Sequence, residues 1–339
     1  MRNALRARIR FLALVVAVLA ATGVVAGVAL ARSSATPIGT GVVLINTQLG
    51  YENGAAAGTG MVLTKSGEIL TNNHVIKGAT TIKVVVPGTG RSYTAKVVGY
   101  DVSDDVAVLQ ASGASNLKTV STAASAKLKV GQAVTAVGNA NGAGTLTSSK
   151  GTITGLRKAI AVSDDQGGSE SLSGLIETNA GLEPGDSGGP LLNSAGKVIG
   201  MDTAASTGFI FRSSTGSDGY AIPIAKALSI VKQIEAGKAS ARVHIGSTAF
   251  LGVQVQSAFG GGSQGVLVAG VVQGGPADSA GLSQGDVITA VDGQSVSSSS
   301  SIPDIILAKK PGDTVAIDYT DQFGSDHSTT VTLGSGPAQ

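Results

Sequence analysis

The sequence predicts a mainly β protein with two domains, and three observations support this. Glycine accounts for 49 of the 339 residues, about twice its usual share of ~7%. Short apolar runs rich in Val, Thr and Ile alternate with turns of Gly, Asn, Asp and Ser, a pattern typical of short strands joined by tight turns. A length of 339 residues gives each of two domains enough chain for its own hydrophobic core.

The predicted strands fall into two sets before a single clear helix. They lie at residues 60–63, 69–72, 81–86, 95–100 and 106–110, and then at 133–137, 151–156, 175–178, 198–202 and 219–222. Many short strands at this spacing indicate a sandwich or a barrel. Residues 224–236 instead place apolar side chains at helical spacing, and Gly237 follows as a stop signal. We expect this helix to close the first domain.

Composition excludes several classes of function. The net charge is +2, aromatic residues make up 3% of the chain, and no basic stripe is concentrated anywhere. The chain therefore lacks the electrostatic and stacking features of a nucleic-acid-binding protein. There are no cysteines and only three scattered histidines, so neither disulfides nor a zinc site is expected. No cofactor or metal is predicted.

The N-terminus predicts export from the cytoplasm. Four arginines among the first ten residues precede residues 11–30, which carry no charge. This run is long enough to span a bilayer, and the arginines before it favour a cytoplasmic N-terminus. Residues 29–31 (ALA) also fit a signal-peptide cleavage site. Residues 1–31 are thus a signal peptide or a membrane anchor, residues 32–40 a linker, and the rest lies outside the cytoplasm in either case.

The most informative motif is the glycine-rich loop at residues 184–190, PGDSGGP. Glycines on both sides of Ser187 allow a sharp turn and a close approach to a substrate carbonyl. If the backbone amides of Gly185 and Ser187 converge, they provide two donors for the oxyanion of a tetrahedral intermediate. The loop therefore predicts a serine nucleophile for acyl transfer, with a simple surface turn as the alternative.

A serine hydroxyl needs a general base, and histidine is the usual one near neutral pH. His74 follows an apolar run that is predicted to be a strand, whereas His244 lies between the two domains and His327 in a polar turn. The position of His74 makes it the best candidate among the three histidines.

A carboxylate is then needed to orient the base. Asp105 directly precedes the apolar run 106–110 and is expected to be partly buried, whereas Asp101 and Asp104 are expected to cap a solvated turn. His74, Asp105 and Ser187 follow one another in the order found in chymotrypsin, which differs from the order in subtilisin and the α/β-hydrolases.

Taken together, these motifs resemble the HtrA (DegP-type) trypsin-like serine proteases, especially their actinobacterial secreted or anchored members. The matching segments are residues 58–62, 70–75, 99–101, 105–109, 184–190, 198–204 and 220–223. The resemblance implies a chymotrypsin-like protease domain over residues 41–236, built from two six-stranded β-barrels with the triad in the cleft between them.

Beyond a linker at residues 237–246, residues 247–335 resemble the PDZ domain that HtrA proteases carry. Such domains add a peptide to a sheet edge and hold its terminal carboxylate with backbone amides. The resemblance assigns this role to Phe250, Leu251, Gly252 and Val253, with the apolar face of residues 302–308 lining the groove. Alternatively, the same residues form an ordinary turn and a helix that packs a small core.

The family resemblance also implies substrate-binding residues near the nucleophile. These are Gly181, Leu182, Met201, Asp202, Thr203 and Ala204. Residues 201–204 would pair with the substrate backbone as an added strand. Asp186 and Asp202 stand where the family more often carries Asn. A carboxylate at residue 202 would favour basic substrate side chains; alternatively it faces away, and Gly181 and Leu182 leave a pocket for small or medium apolar residues.

The resemblance therefore implies an extracytoplasmic serine endopeptidase that cleaves unfolded or misfolded proteins, with peptide binding or regulation by the PDZ domain. The expected partners are polypeptide substrates, C-terminal peptides, the membrane through residues 11–30, and two further copies in a homotrimer. A proteolytically silent envelope chaperone or PDZ scaffold is the alternative. An esterase is disfavoured because residues 185–189 follow a loop and precede a predicted strand, unlike a nucleophile elbow.

Overall fold

A computed structural model describes residues 37–51, 53–124, 127–163, 169–203, 210–211, 219–257 and 265–338. The predicted signal peptide or anchor, most of the linker that follows it, and Ala204 lie outside these residues. Across the ranges that are described, no helix is both long and apolar enough to cross a bilayer.

The first six strands close into a barrel. They are β1 (Val42–Leu49), β2 (Gly54–Val62), β3 (Glu68–Thr71), β4 (Thr81–Val85), β5 (Ser92–Asp101) and β6 (Val106–Ala111). Their order is β5-β4-β1-β2-β3-β6, and pairing of β5 with β6 completes the ring. A one-turn helix, α1 (Asn73–Ile76), lies between β3 and β4. Ile45, Ile69 and Leu109 are fully buried inside this barrel.

The next strands form a second closed barrel. Its elements are β7 (Ala133–Gly138), β8 (Thr147–Ser163), β9 (Ser169–Thr178), β10 (Pro190–Asn193), β11 (Val198–Thr203), β12 (Ile210–Phe211) and β13 (Gly219–Pro223). Six of these strands form a ring in the order β8-β7-β10-β11-β13-β9, which is closed by pairing of β8 with β9. The short strand β12 pairs with the end of β8. The predicted architecture of two six-stranded barrels is confirmed.

The helix α2 (Ile224–Glu235) packs at the boundary between the barrels. One buried cluster combines Met61 and Leu70 from the first barrel with Met201 from the second and Ile230 and Ile234 from α2. Because an apolar seam of this kind keeps both barrels in fixed positions, loops that meet at its edge can form a precise site. The predicted helix is confirmed to within one residue.

After α2, strand β14 (Val243–Ile245) joins the sheet of the first barrel. The C-terminal domain follows, and its elements are β15 (Thr248–Phe250), β16 (Val253–Ser257), β17 (Val266–Val271), α3 (Pro276–Ser279), β18 (Val287–Val291), β19 (Gln294–Ser295), α4 (Ser301–Leu307), β20 (Thr314–Thr320), β21 (Asp326–Thr332) and β22 (Gly334–Gly336). The main sheet has the order β16-β17-β18-β20-β21, so β16 is an edge strand, and β15 pairs separately with β22.

Two features differ from the sequence-based expectations. Strands β8 and β9 are longer than predicted, because their pairing continues out to Ser163 and Ser169. Within the predicted linker, β14 pairs with β5 of the first barrel, so backbone hydrogen bonds fix this part of the connection. The proposed domain boundaries themselves stay predictions.

The C-terminal domain also contacts the first barrel through side chains and the chain end. The rings of Tyr51 and Phe250 stack with centroids 4.9 Å apart. The hydroxyls of Tyr100 and Thr248 are hydrogen-bonded at 3.1 Å. The Gly78 amide donates to the carbonyl of Ala338 at 2.8 Å.

Candidate active site

His74 is held by the short helix that follows β3. Asn72 is extended and ends the strand, and the next residues turn into α1. Val75 and Ile76 are buried against the first barrel, which fixes the helix and leaves the His74 side chain only 10% exposed. The imidazole therefore has a defined position at the seam between the barrels.

Asp105 binds His74 through two hydrogen bonds, as the sequence predicts. The backbone N–H of His74 donates to Asp105 Oδ1 at 3.0 Å, and His74 Nδ1 lies 2.9 Å from Oδ2. Asp105 adopts a left-handed backbone conformation with φ of 52°, which is uncommon for a residue with a side chain. Asn72 stabilises this turn by donating its side-chain amide to the Asp105 carbonyl at 2.9 Å.

The second barrel supplies one more hydrogen bond to the same carboxylate. The Thr203 hydroxyl donates to Asp105 Oδ2 at 3.1 Å. This contact was not predicted: Thr203 was expected to bind the substrate backbone, and a Thr at the end of a strand carries no signal in the sequence for a partner 98 positions earlier.

Asp101 caps the turn before Asp105 as expected, and this turn is only partly solvated. Asp101 Oδ1 accepts from the Asp104 backbone N–H at 2.9 Å, yet Asp101 is only 2% exposed. Asp104 is paired with Lys226 and Arg242, each at 2.6 Å. These cations come from α2 and the segment after it, and Asp104 is half-buried while Ser103 in the same turn stays exposed.

The loop that carries Ser187 is tied to the first barrel by Thr59. The Thr59 N–H donates to the Ser187 carbonyl at 2.9 Å, and its hydroxyl donates to the Gly185 carbonyl at 2.7 Å while accepting the Asn139 N–H at 2.9 Å. Ser187 is 2% exposed. Thr59 lies in a matched motif, but nothing in that motif predicts this bridging role.

The peptide between Pro184 and Gly185 has an orientation that suits anion binding. The Asn141 N–H donates to the Pro184 carbonyl at 2.6 Å. In a trans peptide the N–H points away from the carbonyl oxygen, so the Gly185 N–H faces the opposite side. Among the residues that the structure describes, the Gly185 N–H has no hydrogen-bond acceptor.

Two glycines of this loop are required by backbone proximity. Gly185 has a φ of 97°, and a Cβ there would lie 2.3 Å from the Asn139 carbonyl oxygen. Gly188 has a φ of 84°, and its Cβ would lie 2.1 Å from the Thr59 carbonyl oxygen. Any side chain at either position would therefore displace the loop.

Two further carboxyls lie buried beside the loop. Asp186 Oδ2 accepts the Glu183 N–H at 3.0 Å, and burial raises the pKa of the Asp186 carboxyl. Asp202 is fully buried; burial and, secondarily, the charge of Asp186 raise its pKa well above the usual range. Asp186 is thus held in part by the backbone of its own loop.

The predicted pairing of a substrate strand with β11 needs correction. At Asp202 the backbone is already used, because its N–H donates to the Gly189 carbonyl and its carbonyl accepts the Gly188 N–H. Met201 is flanked by β10 and β13. A substrate strand can therefore add only beyond Asp202. Gly181 is exposed and Leu182 is half-buried against the second barrel.

In the C-terminal domain, the predicted carboxylate-binding loop joins β15 to the edge strand β16. Gly252 has a φ of 83°, and the N–H groups of Leu251 and Gly252 have no acceptor within the described ranges. The apolar face of α4 is largely used for packing: Ile302 and Ile306 are buried in the domain core, and Leu307 contacts the first barrel. Ile305 remains partly exposed and available to a groove.

The other two histidines lie elsewhere. His244 contacts the Tyr100 ring, with centroids 5.0 Å apart, and His327 Nε2 is 2.8 Å from Asp321 Oδ2 in the C-terminal domain.

Comparisons with known proteins identify the two domains. Residues 58–201 match the family model "Trypsin-like peptidase domain", and residues 249–331 match the model "PDZ domain". The serine protease PepD of Mycobacterium tuberculosis is 33% identical over 307 residues, which is 86% of this chain and 63% of that protein. A probable periplasmic DegP-like serine endoprotease of Halomonas elongata is 35% identical over 84% of this chain and 58% of its own length.

The chain thus spans about three fifths of the length of these curated relatives. A solved structure of the HtrA-type protease AlgW with a tripeptide is 29% identical and has a TM-score of 0.50, covering 89% of this chain and 95% of that one. A further relative is the chloroplast protease Do-like 1 of Arabidopsis thaliana, 36% identical over 83% of this chain and 64% of its own length, so the actinobacterial subtype stays a prediction. The chain belongs to the HtrA-type serine proteases, with a trypsin-like peptidase domain followed by a PDZ domain.

Proposed function

We propose that this chain is a serine endopeptidase in which Ser187 attacks the substrate carbonyl. His74 takes the Ser187 proton as general base, and Asp105 holds the imidazole in the correct tautomer and stabilises the imidazolium. The N–H groups of Gly185 and Ser187 stabilise the oxyanion. The observation that carries the proposal is the hydrogen-bonded pair of His74 and Asp105 at the seam. It lies next to a loop whose Gly185 N–H has no acceptor among the residues that the structure describes.

A fluorophosphonate probe tests this proposal, because it forms a covalent adduct only with an activated serine. We expect the full chain to be labelled and its Ser187→Ala variant to remain unlabelled, with peptide mapping locating the adduct on Ser187. Labelling of both proteins, or an adduct at another residue, would overturn the assignment. Absence of labelling, also after addition of C-terminal peptides, would favour the silent chaperone or scaffold.

The proposed substrates are unfolded or misfolded polypeptides outside the cytoplasm. The names of periplasmic relatives support this location, as does the uncharged run at residues 11–30 behind four arginines. That run would act either as a retained anchor or as a cleaved signal. Cell fractionation with N-terminal sequencing of the mature chain distinguishes the two. A homotrimer follows from the family resemblance, and light scattering of the purified chain tests it.

The PDZ domain is proposed to bind the free C-terminus of a polypeptide. The unsatisfied N–H groups of Leu251 and Gly252 would receive the carboxylate, and the edge strand β16 would pair with the peptide backbone. Fluorescence anisotropy with a labelled peptide measures this binding. The free carboxylate form should bind at least about 10-fold more tightly than its C-terminal amide, since the amide removes the charge-assisted hydrogen bonds.

A further inference from the structure

Asp202 is a buried carboxyl that the proposed mechanism does not use. Its exposed fraction is 0%, and neither Oδ1 nor Oδ2 has a hydrogen-bond partner among the described residues. The Oδ1 atom of the neighbouring Asp186 is buried without a partner as well. A carboxyl removed from water without donors is unfavourable, so the arrangement indicates that a ligand provides the missing interaction.

The Asp202 side chain points into the second barrel. Side chains alternate along a strand, and the neighbouring Thr203 points the other way, toward Asp105. Gly200 shares the face of Asp202, and a Cβ at Gly200 would lie 3.1 Å from both Ala221 Cβ and Ile176 Cδ1. Ala221 is also the register partner of Asp202 across β13. The carboxyl therefore faces the apolar interior of this barrel.

This position is directly beneath the nucleophile loop. The Gly188 N–H donates to the Asp202 carbonyl at 2.8 Å, and the Asp202 N–H donates to the Gly189 carbonyl at 2.7 Å. Asp202 is thus bonded to the two residues that follow Ser187. A substrate side chain next to the scissile carbonyl would enter the barrel at this point.

Leu182 is a partly exposed side chain that packs on this interior. It is half-buried and packs on the apolar interior of the second barrel together with Ala221. It also lies against Gly219, where a Cβ would be 2.6 Å from Leu182 Cδ1. The barrel interior around Asp202 is therefore apolar on the side of Leu182 and Ala221, with the carboxyl as its acidic group.

We propose that Asp202 is a specificity-determining residue that selects substrates with lysine or arginine at the position before the scissile bond. The inference rests on the proposed endopeptidase function and names its substrate class. A long basic side chain places its apolar stem along Leu182 and Ala221 and its cationic head at the carboxylate. Charge pairing would then replace the missing donors of Asp202, much as an acidic pocket floor selects basic residues in trypsin. This choice differs from the small apolar residues that Gly181 and Leu182 alone suggest.

A binding experiment tests the site without requiring catalysis. The fluorescent amidine p-aminobenzamidine is titrated into the full-length Ser187→Ala protein and into the same protein with Asp202→Asn. We expect the second substitution to weaken binding by about 10-fold or more, because it removes the charge-assisted hydrogen bonds to the amidinium group. The matched control is Glu183→Gln, which removes an exposed carboxylate beside the same loop and should change binding less than about 2-fold. Equal binding with and without Asp202 would overturn the proposal, as would no binding at all.

A cleavage experiment tests the same residue in the reaction. Two peptides that differ only in Arg or Val before the scissile bond are compared with the parent and with Asp202→Asn. The kcat/KM ratio of Arg over Val should be well above one in the parent and should fall by about 10-fold or more in the variant. If the fluorophosphonate labels Ser187 but the parent prefers Val and Asp202→Asn leaves the ratio unchanged, the specificity proposal fails and the endopeptidase assignment stands. If Ser187 is not labelled, the endopeptidase assignment fails and the amidine titration alone decides on the cation site.

Discussion

Asp105 and Asp202 are two buried carboxyls from different barrels, and their surroundings differ sharply. They are 5% and 0% exposed, so burial does not distinguish them. Asp105 accepts hydrogen bonds from the His74 backbone, the His74 ring and the Thr203 hydroxyl. Asp202 accepts none with its carboxyl among the described residues. The number of donors therefore decides what each acid can do: Asp105 is suited to hold and orient the imidazole, whereas Asp202 is suited to receive a cation.

Neutralising Asp105 should have the largest effect on catalysis. We expect Asp105→Asn to lower kcat by about 10⁴-fold, because an amide at this position favours the wrong tautomer of His74. The rate of fluorophosphonate labelling measures the same loss without a substrate. Asp101→Asn is the matched control, since Asp101 is similarly buried but caps a turn, and its labelling rate should stay within about 3-fold of the parent. A labelling rate of Asp105→Asn near that of the parent would contradict the proposed role.

A smaller change removes only the donor that the second barrel supplies. Thr203→Val eliminates the hydrogen bond to Asp105 Oδ2 and leaves both His74 contacts in place. We expect kcat to fall by about 10-fold, corresponding to about 1.4 kcal/mol. Thr203→Ser keeps the hydroxyl and should recover most of the rate. If the Ser and Val variants were equally impaired, packing rather than the hydrogen bond would explain the loss.

These residues also show where sequence reasoning succeeds and where it fails. His74, Asp105 and the loop around Ser187 lie in ordered motifs, and the structure brings His74 and Asp105 together as expected. Each of them follows or precedes a recognisable strand, so its position along the chain carries information. Thr59 and Thr203 have no such signal, because their partners come from the opposite barrel. Long-range contacts between side chains depend on barrel closure, which strand patterns alone do not specify.

The burial of Asp202 is the clearest example of a feature that the sequence does not predict. Its neighbours in β11 are apolar or small, and nothing in this pattern tells whether residue 202 faces the barrel interior or the seam. A bulge settles the question: Leu191 pairs with Gly200 and Leu192 with Val198, so one residue of β11 is skipped. A one-residue shift of this kind moves every following side chain to the opposite face.

The buried carboxyl of Asp202 should also affect how the stability of the unliganded protein depends on pH. Its pKa is raised chiefly by burial, so the folded state holds a proton that the unfolded state releases as the pH rises above the ordinary aspartate value. Stability associated with this group is present at acid pH and decreases as the pH rises through the folded-state pKa. Asp202→Asn should therefore raise the free energy of unfolding more at pH 8 than at pH 4. Urea denaturation at the two pH values measures this, and a loss of stability at pH 8 would show that the carboxylate has a partner in the folded state.

Glu68 is a third carboxyl, and its neighbour Glu235 is also an acid. We expect substitution of Glu68 to have the smallest effect on stability. Burial, a hydrogen bond with Glu235 at the end of α2, and the charge of Glu235 raise the pKa of Glu68 to about 7. The folded state is then more protonated than the unfolded state between about pH 4.5 and 7, so this group lowers stability as the pH rises through that window. Solvent screening limits the effect to about 1 kcal/mol, since Glu68 is only partly buried. Glu68→Gln keeps a donor for Glu235 at every pH and should flatten the dependence of stability on pH between 5 and 8. If stability depended on pH in the same way in the parent and in Glu68→Gln, Glu68 would have an ordinary pKa in the folded state. The contrast in hydrogen-bond partners would then apply only to Asp105 and Asp202.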